Sequence, residues 1–153
     1  MTAHSITKKA AAHCGIAFES AYAAHAAVAR EHGFLVGAGR HSYRMTGQPL
    51  AEAVLAMFVA GAGLAPDLPA FLSAIRLNGA AANLGKLLDL ADAGEPSHLA
   101  ESWVALDRHG NCRWTYVEAR DGNSVALGWC DFGAKPGTRT VSIDGAALAE
   151  VLA

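Results

Sequence analysis

The stretch Thr7-Lys8-Lys9-Ala10-Ala11-Ala12-His13-Cys14-Gly15-Ile16-Ala17-Phe18-Glu19-Ser20-Ala21-Tyr22-Ala23-Ala24-His25-Ala26 decides how this chain is read. The Ala-rich segments on both sides of Gly15 are good helix formers, and glycine breaks them. Thr7 to Cys14 reads as a short helix and Ala17 to His32 as a second, with Gly33 where a C-terminal cap needs a positive φ. Across the break Ala11 is small, Ile16 is apolar, and Ala21, Ala24 and Val28 recur on one side of the second helix. That pattern suits two helices crossing steeply, with an apolar plug in the turn.

Further along, Phe34 to Met45 changes character: Phe-Leu-Val, a Gly-Ala-Gly-Arg turn, then Ser-Tyr-Arg-Met. Two short extended runs about a Gly-rich turn predict a small hairpin. Thr46 is a candidate N-cap, and the helix after it, about Gly47 to Ala60, is apolar almost all round. Such a helix belongs in the core or in a subunit interface. Asp67 starts another helix with Leu68, Phe71, Leu72 and Ile75 as its stripe, ended by Asn78-Gly79. Ala80 to Ala93 follows, with Leu84, Leu87, Leu88 and Ala91 facing inward. Asp89, Asp92 and Glu95 fall near its C-terminal end, where the helix dipole disfavours carboxylates, and are assigned to a solvated surface.

After residue 100 the period becomes two. Trp103 to Asp107, Cys112 to Ala119, Ser124 to Asp131 and Thr138 to Ile143 read as strands, with Asp121-Gly122 a two-residue hairpin signal. Asp144 caps a short final helix carrying Leu148, Val151 and Leu152. The expected class is α+β: a helical N-terminal lobe with a small hairpin, then a four-stranded antiparallel meander and a short C-terminal helix. Three segments are expected: 1–48 with the helical pair and hairpin, 49–100 as helical core and dimerisation segment, and 101–153 as the sheet lobe.

Thr7 to Ala26 resembles the helix-turn-helix unit of bacterial and phage DNA-binding regulators. The Phe34 to Met45 hairpin extends the resemblance to winged members. The resemblance implies that the second helix enters a major groove. Its exposed start offers Ala17, Glu19, Ser20 and Tyr22 to the bases. Lys8 and Lys9, near the start of the first helix, suit phosphates; Arg40 and His41 stand at the wing tip, with Tyr43 and Arg44 on its return strand. The donors for base readout are few. Glu19 accepts from cytosine, Ser20 bonds to several bases, and Ala17, Phe18 or Ala23 meet thymine methyls. Either specificity lies in the wing and in DNA shape, or the motif is kept without DNA binding.

Charge is divided in the same sense. Residues 1–48 carry five basic and two acidic side chains, a net +3; residues 49–153 carry seven and twelve, a net −5. The N-terminal part is therefore the face suited to a polyanion. The expected function is duplex DNA binding as a homodimer in transcription regulation. The alternative is a protein-binding module, an inhibitor or antitoxin-like partner, that presents the acidic sheet with Glu118, Asp121 and Asp131 to a basic surface.

Other chemistry finds less support. Seven histidines include no His-x-x-x-His spacing, no Cys-x-x-Cys occurs, and Gly37-Ala38-Gly39-Arg40 lacks the Lys-Ser or Lys-Thr of a phosphate loop. No metal, no cofactor and no catalytic set is expected, and the chain is not read as an enzyme. Three cysteines at irregular spacing give no disulfide framework, so a cytoplasmic chain with reduced thiols is expected. The N-terminal segment has no uninterrupted apolar region of a secretory leader, and the apolar run Ala53 to Ala65 is too short to span a bilayer, so no membrane partner is expected.

Overall fold

The computed structural model describes residues 2–34, 36, 43–94, 99–120, 123–127 and 138–152, with 114–120 and 123–127 described by backbone. Its elements are α1 (Ala3–Cys14), α2 (Phe18–Glu31), α3 (Gly47–Gly61), α4 (Leu68–Leu77), α5 (Ala80–Asp92), a 3-10 turn (Leu99–Glu101), β1 (Trp103–Leu106), β2 (Cys112–Arg120), β3 (Asn123–Leu127), β4 (Val141–Asp144) and α6 (Gly145–Leu152). The α+β class follows.

α3 organises the helical part. Every residue from Ala51 to Ala60 is buried, as expected for a helix without a polar face. α2 packs on one side and α5 on another. Burial within the chain accounts for this central stretch of the helix. Mid-helix Gly85 explains how α5 comes so close, because a β-carbon there would lie 2.6 Å from the Gln48 backbone nitrogen. One apolar cluster runs from Ile6 in α1 through α3, Phe71 and Ile75 in α4 and Leu106 in β1 to Val151 in α6.

α1 begins at Ala3 rather than Thr7. Thr2 is its N-cap, accepting from the Ser5 N–H at 3.3 Å, and Ala3 and Ile6 are buried beneath this first turn. Gly15 closes the helix at φ 66°, and Gly33 takes φ 83° after α2. Thr46 makes no side-chain cap bond. Its place is taken by Asp89 of α5, whose carboxylate accepts the Gly47 N–H at 2.7 Å. Asp92 binds Arg44 at 2.7 Å. Asp89 and Asp92, both exposed as expected, thus also serve the positive N-terminus of α3 and a nearby guanidinium, and Glu95 lies outside the described residues.

The sheet order is β3-β2-β1-β4, and all pairings are antiparallel. The expected meander is corrected: β4 lies beside β1, not beside β3. Trp103 pairs with Thr115 on one side and Asp144 on the other. This placement covers the edge of a strand whose Val104, Ala105 and Leu106 are buried. It is fixed where β4 runs into α6. The Gly145 N–H donates to the Ser102 carbonyl at 2.9 Å, and a β-carbon on Gly145 would strike the Leu99 carbonyl. Arg120 pairs with Asn123, the spacing of a two-residue hairpin. The described part of the third strand is Asn123–Leu127, and the rest of its expected span, 128–131, lies outside the described residues with 132–137; the fourth strand is shorter than expected, starting at Val141 rather than Thr138. Asp144 caps α6 by accepting the Ala146 N–H at 2.9 Å.

Candidate nucleic-acid interface

α1, the Gly15–Ala17 turn and α2 form one unit held from beneath by α3. Ile16 leaves the turn and packs on Gly61, the last residue of α3, and the Ala17 N–H donates to the Gly61 carbonyl at 3.0 Å. Ala21, Ala24 and Val28 are buried along the inner side of α2. The outer side of its first turn is open: Ala17, Phe18, Glu19 and Ser20 are exposed, as is Ala23 one turn on.

Two aromatic rings and one imidazole meet on this outer side. Phe18 stacks on Tyr22 with ring centroids 5.9 Å apart and planes 14° apart. His4 of α1 meets Phe18 edge-on at 5.6 Å. Phe18 remains 37% exposed, which for a large apolar ring leaves a contact surface facing solvent. Lys8 follows His4 by four residues, and so shares its face of α1. Lys8 and Lys9 are both exposed.

The expected contact residues therefore divide. Lys8, Lys9, Ala17, Glu19 and Ser20 lie on the surface of the α1–α2 unit, and Tyr22 is half-buried within the aromatic stack. Arg40 and His41, with the turn of the expected hairpin, lie outside the described residues; Phe34, Val36 and 43–46 are not in strand. Arg44 is exposed but engaged by Asp92. Tyr43 is turned inward: its hydroxyl meets His25 Nδ1 at 3.1 Å and its ring lies 5.7 Å from that of Phe34. Burial pushes the Tyr43 phenol up to about 12, with Tyr22 adding to the rise and Arg30 opposing it. Glu118, Asp121 and Asp131, the acidic residues of the alternative reading, lie outside the residues whose side chains are described.

His4 escapes the sequence reading because it precedes the expected start of the first helix. Thr2, with Ser5 three residues on, is the signal that would have found it.

Two buried polar groups brace the unit from behind. His25 is fully buried on α2, its Nε2 has no partner among the described residues, and burial pulls its pKa down to about 4. Glu52 of α3, also fully buried, accepts from Arg76 Nε at 2.7 Å and Nη2 at 3.0 Å and from Gln48 at 3.1 Å, and meets His32 Nε2 at 2.5 Å. Burial alone would raise its pKa; the hydrogen bonds from Arg76, His32 and Gln48 outweigh that, and the carboxyl sits below its ordinary value. Arg76 also reaches Glu31 at 3.0 Å, tying α4 to the last turn of α2. A charge in a helix otherwise apolar all round has to be paired, and that is the sequence signal for this network.

No protein family, curated protein or solved structure matches this chain. Among the described residues no helix is long and apolar enough to cross a membrane.

Proposed function

We propose that the chain binds duplex DNA with the α1–α2 unit, the first turn of α2 facing the major groove and Lys8 and Lys9 meeting phosphates. The observation that carries this reading is the division of α2. Its inner side is locked to α3 through Ala21, Ala24 and Val28, while Ala17 to Ser20 stay open at the end nearest the turn. A reading helix needs that arrangement: a rigid back and an accessible N-terminal turn.

The exposed set is poor in donors and rich in apolar surface. Recognition through Phe18 and the alanines against thymine methyls, with the lysines on the backbone, suits it better than a guanine-reading code. Two copies reading two half-sites form the corresponding assembly. It serves transcription regulation in the cytoplasm.

A mobility shift with duplex genomic fragments at low and moderate salt tests this reading. Retardation that weakens steeply as salt rises supports it. Absence of any complex at low salt rejects it. Light scattering of the free protein reads the dimer.

A further inference from the structure

We propose that the cleft between the β1–β2 turn, the loop after α3 and the approach to β4 binds a phosphorylated small molecule of sugar-phosphate or nucleotide size. The cleft contains no residue of α1 or α2, and the inference goes beyond the DNA reading without resting on it.

The cleft encloses about 540 Å³, within the range of small-molecule sites. Arg108, His109 and Arg139 line it, all exposed, with Leu64 as apolar wall. Such a cationic cleft stands out because residues 49–153 carry a net −5. Among the described residues neither Arg108 nor Arg139 has a carboxylate partner. The acid at the cleft, Asp107, is already committed. It is buried, and its carboxylate accepts the N–H groups of His109 at 2.8 Å and Asn111 at 3.1 Å and the Asn111 side-chain amide at 3.0 Å. It holds the turn and leaves the guanidinium groups for another anion.

The wall is built before any ligand arrives. Gly110, at φ 80°, lies so close to α4 that a β-carbon would come within 2.5 Å of the Phe71 carbonyl oxygen. Asn78 donates to the Gly110 carbonyl at 3.1 Å, the Asp67 N–H donates to the Arg108 carbonyl at 3.3 Å, and Arg108 Nε donates to the Ala65 carbonyl at 3.3 Å. The Arg108 stem is thereby held with its terminal nitrogens left over. A guanidinium held beforehand at Arg108, with Arg139 and an imidazole lining the same cleft, suits a phosphate dianion, and the fixed Arg108 lowers the entropic cost of binding. The volume beyond the cations, walled by Leu64, takes the organic part.

Calorimetry at constant ionic strength tests this with ribose 5-phosphate, adenosine 5′-monophosphate, ribose and inorganic phosphate as probes. At least one of the two phosphorylated probes is expected to bind, more tightly than inorganic phosphate, and ribose is expected to give no heat. Arg139→Gln, and separately Arg108→Gln, should each weaken the binding about tenfold or more, the value of a lost charged hydrogen bond. Arg139 makes no described contact with the turn, so its variant should keep the melting temperature of the free protein. No heat from either phosphorylated probe overturns the proposal. So does unchanged affinity in Arg139→Gln, or inorganic phosphate or ribose binding as tightly as the phosphorylated sugars.

Discussion

Ile16 sits on Gly61 so closely that a β-carbon on Gly61 would come within 2.7 Å of the Ile16 β-carbon. The turn between α1 and α2 is thus seated on the end of α3 by the absence of one side chain. In an exposed helix Gly→Ala commonly stabilises, by about 0.5–1 kcal/mol. Here Gly61→Ala should destabilise instead, by about 1–3 kcal/mol, because overpacking outweighs the propensity gain. Urea denaturation reads the sign directly.

Glu52 is a second lock. Glu52→Gln keeps the shape but leaves Arg76 without its buried counter-charge, and should cost about 2–4 kcal/mol, somewhat below a fully buried pair because Arg76 reaches solvent. The pH dependence has a definite sign. The folded-state pKa of Glu52 is depressed, so its stabilisation is complete above the unfolded value of about 4.3 and is lost as pH falls through the folded value. Denaturation midpoints of Glu52→Gln should lack that acid loss.

His25 acts in a different window. Its folded pKa is about 4 against an ordinary 6.5, so the unfolded chain binds the extra proton first. Stability should therefore fall as pH drops from about 6.5 towards 4, by an amount on the order of 3 kcal/mol once the shift is fully expressed. His25→Phe, which fills similar space without a titrating ring, should flatten the slope between pH 6.5 and 4.5 while leaving the Glu52 loss at lower pH. Denaturant midpoints over that range check it.

Much of the architecture is local and therefore legible. Gly15, Gly33 and Gly79 mark helix ends because a positive φ is a property of the residue itself. The period-two runs mark β1 and β2, and the unbroken apolar run marks α3. What is not legible depends on residues far apart in the chain. β4 joins β1 because Gly145 fits against Leu99 and Ser102, a contact no periodicity encodes. Asp89 looks misplaced until Gly47 is brought to it across 42 residues. At the candidate interface, Lys8, Glu19 and Ser20 can be assigned to exposed positions from helical spacing alone. The inward turn of Tyr43 towards His25, and the capture of Arg44 by Asp92, arise only from tertiary packing.

The most direct test of the central claim is fluorescence anisotropy of a duplex fragment titrated with the wild-type chain and with a Lys8→Ala, Lys9→Ala double variant across a salt series. Wild-type affinity should fall linearly with salt on a log–log plot. The double variant should bind more weakly, with a slope shallower by about two, one for each phosphate contact removed. Equal affinity and equal slope for the two proteins, or no wild-type binding at low salt, would contradict the claim.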